Sequence, residues 1–198
     1  MKFTTLRLLA ATACALALAG CGGKASFDVS GTISGLSYPG LVLTNGGANV
    51  TPAVGATTFT FPNRVDYGTS YNVVATTQPA HEFCTVLNPT GSAGHTTTIS
   101  VAVQCQLNSF NIGGTISGLP STATGSLTLI NGTAGGSTAI SPGATTFVFA
   151  DKVSYSIAYG VSVLTQPDNF VCSVSANGSG VMGDADVSNM AVTCVPKA

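Results

Sequence analysis

The hexapeptide GTISGL occurs at 31–36 and again at 114–119, and the likeness extends well beyond it. SFDVSGTISGL (26–36) matches SFNIGGTISGL (109–119), GATTFTF (55–61) matches GATTFVF (143–149), VDYGTSYNVVATTQP (65–79) matches VSYSIAYGVSVLTQP (153–167), and AVQC (102–105) matches AVTC (191–194). The offset grows from 83 to 88 to 89, so the second copy carries small insertions in its loops. A chain written twice has to fold as two units on one plan. The repeats occupy 26–105 and 109–198, and the residues between them, Gln106, Leu107 and Asn108, are too few for a free linker.

Within each repeat the apolar residues alternate, the pattern of strands with one face buried. Phe27, Val29 and Ile33 share a phase, as do Phe110, Ile112 and Ile116; Leu41 with Leu43 and Leu127 with Leu129 do the same. Phe59 and Phe61 face one way, with Thr58 and Thr60 opposite. Tyr71, Val73 and Ala75 form an inward face echoed by Tyr159, Val161 and Val163, and Val101 and Val103 are echoed by Met190 and Val192. Turn residues in NGG (45–47), PNR (62–64) and NPTGSAG (88–94) punctuate these runs. About seven strands per repeat are expected, forming two packed layers: an all-β chain of two tandem β-sandwiches.

Four of the six cysteines lie in the repeats, one after TQP and one at the end of each copy. Four cysteines allow three pairings. The duplication favours one staple per repeat, Cys84 with Cys105 and Cys172 with Cys194, and the strand phase turns both cysteines of a repeat inward. The intervals are far longer than the short spacing of zinc ligands, so no metal site is expected there. Disulfides imply an exported, oxidising setting.

The first twenty residues fit that setting. Lys2 and Arg7 precede Leu8–Gly20, thirteen uncharged residues rich in Ala and Leu. That run is too short to cross a bilayer but fits the apolar segment of a secretory signal helix. Its end, Leu18-Ala19-Gly20-Cys21, resembles the lipobox of bacterial lipoproteins. The resemblance implies a diacylglyceryl group on the Cys21 thiol, cleavage between Gly20 and Cys21, and acylation of the new amino group by a palmitate-type chain. Residues 1–20 are then the signal peptide, and 21–25 the lipidated cysteine and a short tether. Gly22, rather than Asp, after that cysteine implies an outer-membrane lipoprotein facing the periplasm or the cell surface. From Cys21 to Ser26 the tether spans at most about 17 Å, which holds the first repeat close to the bilayer.

The strand order GTISGL, LVLT, TFTF, GTSYNV is similar to Ig-like sandwiches of the carboxypeptidase-regulatory or transthyretin-like branch. The pattern of TFTF, TQP and a closing V-x-C also resembles cysteine-bearing repeats of exported Gram-negative proteins, and that likeness covers both copies.

Chemistry is sparse by comparison. After residue 20 the chain keeps Lys24, Arg64, Lys152 and Lys197 against seven acids, a net charge of −3, so it lacks the basic footprint of a nucleic-acid binder. His81 and His95 are the only histidines, aligned with Asn169 and Asp184, and read as solvated loop residues. No G-x-S-x-G elbow or glycine-rich phosphate loop occurs. Asp184 and Asp186 in GDAD read as a polar loop tip rather than a calcium site. Tyr38 reads as a turn residue, Tyr71 and Tyr159 as core, and the N-x-S/T triplets at Asn49, Asn131 and Asn177 as coincidences. With no catalytic residue, metal ligand or cofactor site expected, the sequence reads as a non-enzymatic, lipid-anchored envelope protein. Its role is a structural, spacer or adhesion-type module; the alternative is a binding module for a glycan or an envelope protein partner, using loops at one end of the sandwiches.

Overall fold

The computed structural model describes residues 24–198, so the signal segment, Gly20 and the lipidation site Cys21 lie outside the described residues. The chain divides into two compact units. One takes the residues up to Ser34 with Leu41–Thr77 and Thr85–Gln104; the other takes Gly35–Gly40, Gln78–Cys84 and Cys105–Ala198.

The first repeat contains β1 (Ser26–Phe27), β2 (Val29–Ser34), β3 (Val42–Asn45), β4 (Ala48–Val50), β5 (Thr58–Thr60), β6 (Val65–Asp66), β7 (Ser70–Thr77), β8 (Glu82–Leu87), β9 (Thr90–Ser92) and β10 (Ile99–Leu107). The second repeats this order as β11 (Ser109–Phe110), β12 (Ile112–Ser117), β13 (Leu127–Asn131), β14 (Ser137–Ile140), β15 (Thr146–Val148), β16 (Val153–Ser154), β17 (Ala158–Thr165), β18 (Phe170–Ala176), β19 (Ser179–Val181) and β20 (Val187–Pro196). Ten strand segments per repeat replace the seven expected from alternation. The additional ones carry no apolar period: β1 pairs with β6 over two residues only, and β9 reads Thr-Gly-Ser.

Each repeat has two four-stranded sheets. In the first they run β5-β2-β10-β8 and β4-β3-β7-β9; in the second, β15-β12-β20-β18 and β14-β13-β17-β19. The closing strand of each repeat lies parallel to its first long strand, with Val101 beside Gly31 and Val103 beside Ile33. In the second repeat both sheets contribute to one core, which includes Ile112, Leu127, Leu129, Phe149, Met190 and Val192. Their counterparts Val29, Leu41, Leu43, Phe61, Val101 and Val103 are also buried, as the alternation predicts.

The repeated hexapeptide has a steric explanation. A Cβ on Gly31 would collide with the Val101 carbonyl oxygen, and one on Gly114 with the Met190 carbonyl oxygen, because a neighbouring strand runs past each glycine at close range. Gly35 and Gly118 have φ of 79° and 75°, and each lies against the carbonyl of the repeat's last cysteine. Between the glycines, Ile33 and Ile116 enter the core, and Leu36 and Leu119 follow.

Cys84 is bonded to Cys105 and Cys172 to Cys194. Cys172 and Cys194 stand directly opposite each other on adjacent antiparallel strands. All four half-cystines are buried. The chain-entropy model values a closed loop of this length at about 3 kcal/mol. Replacing both Cys84 and Cys105 by Ala is therefore expected to lower the unfolding free energy of the first repeat by about 3 kcal/mol, read as a fall in urea midpoint. An unchanged midpoint would show that this bridge does not stabilise the fold.

Candidate functional site

The polar side chains shared by both repeats serve the architecture. Gln166 sits in TQP six residues before Cys172. Its Oε1 accepts from the Cys172 N–H at 2.7 Å, and its Nε2 donates to the Cys172 carbonyl at 2.8 Å. Gln78 makes the same pair of bonds to Cys84, at 2.7 and 3.1 Å. A carboxamide offers one acceptor and two donors, so it satisfies both backbone groups as a further strand would. Since β8 and β18 are sheet edges, the glutamine also denies that position to a foreign strand. Asn45 and Asn131 are a second shared pair: each is buried, and its Oδ1 accepts a backbone N–H, from Asn72 and Gly160 respectively, at 3.0 Å.

Three residues not matched in the other copy, Tyr38, His81 and Asp184, gather elsewhere, in the second compact unit, around the shared tyrosine Tyr155. His81, at φ 62°, stacks on Tyr155 with centroids 3.9 Å apart and planes 3° from parallel. Tyr38 meets both rings edge-on, at 5.0 Å from His81 and 5.7 Å from Tyr155. His81 Nδ1 lies 2.7 Å from Asp184 Oδ1, so the Nδ1–H form donates to the carboxylate. The expectation of a solvated His81 is corrected: it is partly covered, between Tyr38, read as a turn residue, and Asp184, which remains an exposed residue of the polar loop tip. No sequence spacing signals this, because they come from loops far apart in the chain. A carboxylate-oriented imidazole is a familiar component of catalytic and metal sites. Here its ring face is taken up by tyrosine packing. Among the described residues no three His, Cys, Asp or Glu side chains form a metal-ligating group.

Beneath Tyr38 lies a residue that sequence reading missed. Glu82 is 2% exposed, and its carboxylate accepts from the Ser37 N–H at 3.0 and 3.1 Å and from the Tyr38 N–H at 3.3 Å. A buried carboxylate is tolerated when backbone donors surround it. Its counterpart Phe170 is the available signal: one copy places an acid where the other has an aromatic ring. Glu82 thus fixes the loop that carries Tyr38.

Asp186 does not act with Asp184. Its two oxygens accept from the Asn111 backbone N–H at 2.8 Å and from Asn111 Nδ2 at 3.0 Å. The bond from the Asn111 side chain, then that from its backbone, lowers the Asp186 pKa below its ordinary value, with a smaller contribution from Lys152. The associated stabilisation is present above the unfolded carboxylate's range and is lost as pH falls through the depressed value. Beside it runs a groove of about 290 Å³ with a mostly apolar lining that includes Gly113, Thr115, Phe147, Val148 and Val187. His95 is exposed in the loop before β10, Tyr159 is buried and Tyr71 half-buried.

No protein-family model and no curated protein matches the chain. Among solved structures, the chain is similar to the shaft pilin SpaA of Lactobacillus rhamnosus GG, at 10% identity and a TM-score of 0.30, over 87% of this chain and 98% of that one. It is likewise similar to the major pilin T-13 of Streptococcus pyogenes, at 11% identity and a TM-score of 0.29, over 88% and 98% of the two chains. Likeness at this level carries no assignment.

The Glu82 arrangement is directly testable. Glu82→Ala leaves the Ser37 and Tyr38 N–H groups without their acceptor, and a loss of about 2 kcal/mol in unfolding free energy is expected, while Glu82→Gln, which keeps an acceptor oxygen, loses less. Equal losses for the two variants in urea titrations would contradict the acceptor role.

Proposed function

We propose that this is a lipid-anchored envelope protein, non-enzymatic, whose two Ig-like repeats form a structural, spacer or adhesion-type module. The observation that carries the reading is what the two copies share. Gln78 with Gln166, Asn45 with Asn131, Gly31 with Gly114, and the two buried disulfides are all devices that hold strands together. Duplication has kept a scaffold, as expected where the repeated property is mechanical. The polar residues available for chemistry, His81, Glu82 and Asp184, belong to one copy each.

The disulfides support an oxidising, exported setting. The anchor reading rests on Leu18-Ala19-Gly20-Cys21 behind a short apolar run. One acyl chain holds a protein only marginally, whereas two or three hold it stably, so a triacylated Cys21 would suffice without a membrane-spanning helix.

The test is fractionation with mass analysis of the N-terminal peptide. The wild-type chain is expected in the detergent phase, beginning at an acylated Cys21, and Cys21→Ser is expected to accumulate unprocessed or to leave the membrane as a soluble protein. Wild-type chain that retains Met1 without acyl groups, or a processed Cys21→Ser that partitions as the wild type does, would contradict the anchor.

A further inference from the structure

We infer that the corner of the first repeat around Tyr67 lies against the lipid surface, with the Tyr67 ring at headgroup level; this rests on the acylation of Cys21 proposed above. The first observation is a length. The Tyr67 backbone N–H donates to the Ala25 carbonyl at 2.8 Å, so the domain is already fastened to the chain at Ala25. Ala25 is four residues from Cys21, a reach of at most about 14 Å when fully extended. Arg64 secures the next residue, with its Nη2 donating to the Ser26 carbonyl at 2.8 Å. The acyl chains therefore cannot enter a bilayer without bringing Tyr67 close to its surface.

The second observation is the state of the ring. Tyr67 is 67% exposed, whereas its counterpart Tyr155 is stacked on His81. The fold thus accommodates a covered ring at this position, and in the first repeat the ring is uncovered. It is also supported from beneath. A Cβ on Gly94 would overlap the Tyr67 ring, Gly94 has φ 97°, and the Gly68 N–H donates to the Ala93 carbonyl at 2.9 Å. The ring is held outward on a glycine bed.

The third observation is charge. Lys24 and Arg64 are matched nearby by Asp28, paired with Arg64 at 3.0 Å, and by Asp66. A balanced corner is not drawn to anionic lipid by its net charge. What remains is an amphipathic phenol of the kind that favours the water–hydrocarbon boundary, where the ring is in apolar surroundings and the hydroxyl stays hydrated. The surface contact is accordingly expected on neutral lipid.

The natural sequence has no tryptophan, so Tyr67→Trp in the full acylated chain gives a single reporter at the site. In phosphatidylcholine vesicles its emission is expected to shift to the blue, and to fall roughly twofold when lipid carrying a nitroxide on the headgroup is included. A chain that floats with the vesicles yet shows an unshifted, unquenched emission overturns the surface contact and leaves the anchor standing; a chain that fails to float overturns both. Hydroxyl-radical footprinting tests the unsubstituted ring. Tyr67 is expected to oxidise more slowly in the vesicle-bound wild type than in soluble Cys21→Ser, and equal rates overturn the inference.

Discussion

The closing strand of each repeat is the element on which the rest depends. It runs parallel to the first long strand over a glycine that lets the two backbones approach, and it is bonded through its last cysteine to the edge strand on its other side. Parallel neighbours from the two ends of a repeat make contacts of long sequence separation, which are entropically costly to form. A covalent bridge between the closing strand and the edge strand beside it reduces the chain freedom lost in that step. The glutamine of TQP then completes the arrangement from outside by occupying the outward N–H and C=O of the edge half-cystine. The three motifs that define the duplication, GTISGL, TQP-x-x-x-x-C and V-x-C, are thus parts of one assembly.

That coupling explains why much of the fold was legible. Alternation placed Leu43, Phe59, Val73 and Val103 correctly in the interior because a half-buried strand has a strict period of two. The glycines of NGG and the residues of PNR fall between strands, whereas the expected turn NPTGSAG contains β9, and duplication pointed to one bridge per repeat. Strand count was less legible: β1, β6 and β9 are held by backbone pairing, with no apolar pattern to show it. The parallel register of β2 with β10 was hidden as well, since alternation fixes the face of a strand and not its neighbour.

The cluster of Tyr38, His81, Tyr155 and Asp184 shows the complementary limit. Each residue taken singly has an ordinary reading as a loop or turn residue, and only the three-dimensional path places an imidazole between a phenol and a carboxylate. Glu82 was overlooked because an acid beside a phenylalanine and a cysteine in an edge strand looks like a solvent-facing residue; in fact it faces inward toward backbone donors. Comparing the copies position by position recovers part of this. Shared residues such as Gln78 and Gln166 mark scaffold, while mismatched pairs such as Glu82 and Phe170, or His81 and Asn169, mark places where one copy has acquired a contact of its own.

Each repeat is closed by its own disulfide. Peptide mass mapping of the unreduced protein tests it most directly. One linked pair containing Cys84 and Cys105 and another containing Cys172 and Cys194 are expected, with no free thiol at these positions. A bridge joining cysteines of different repeats, or four free thiols in protein recovered from the envelope, would contradict it.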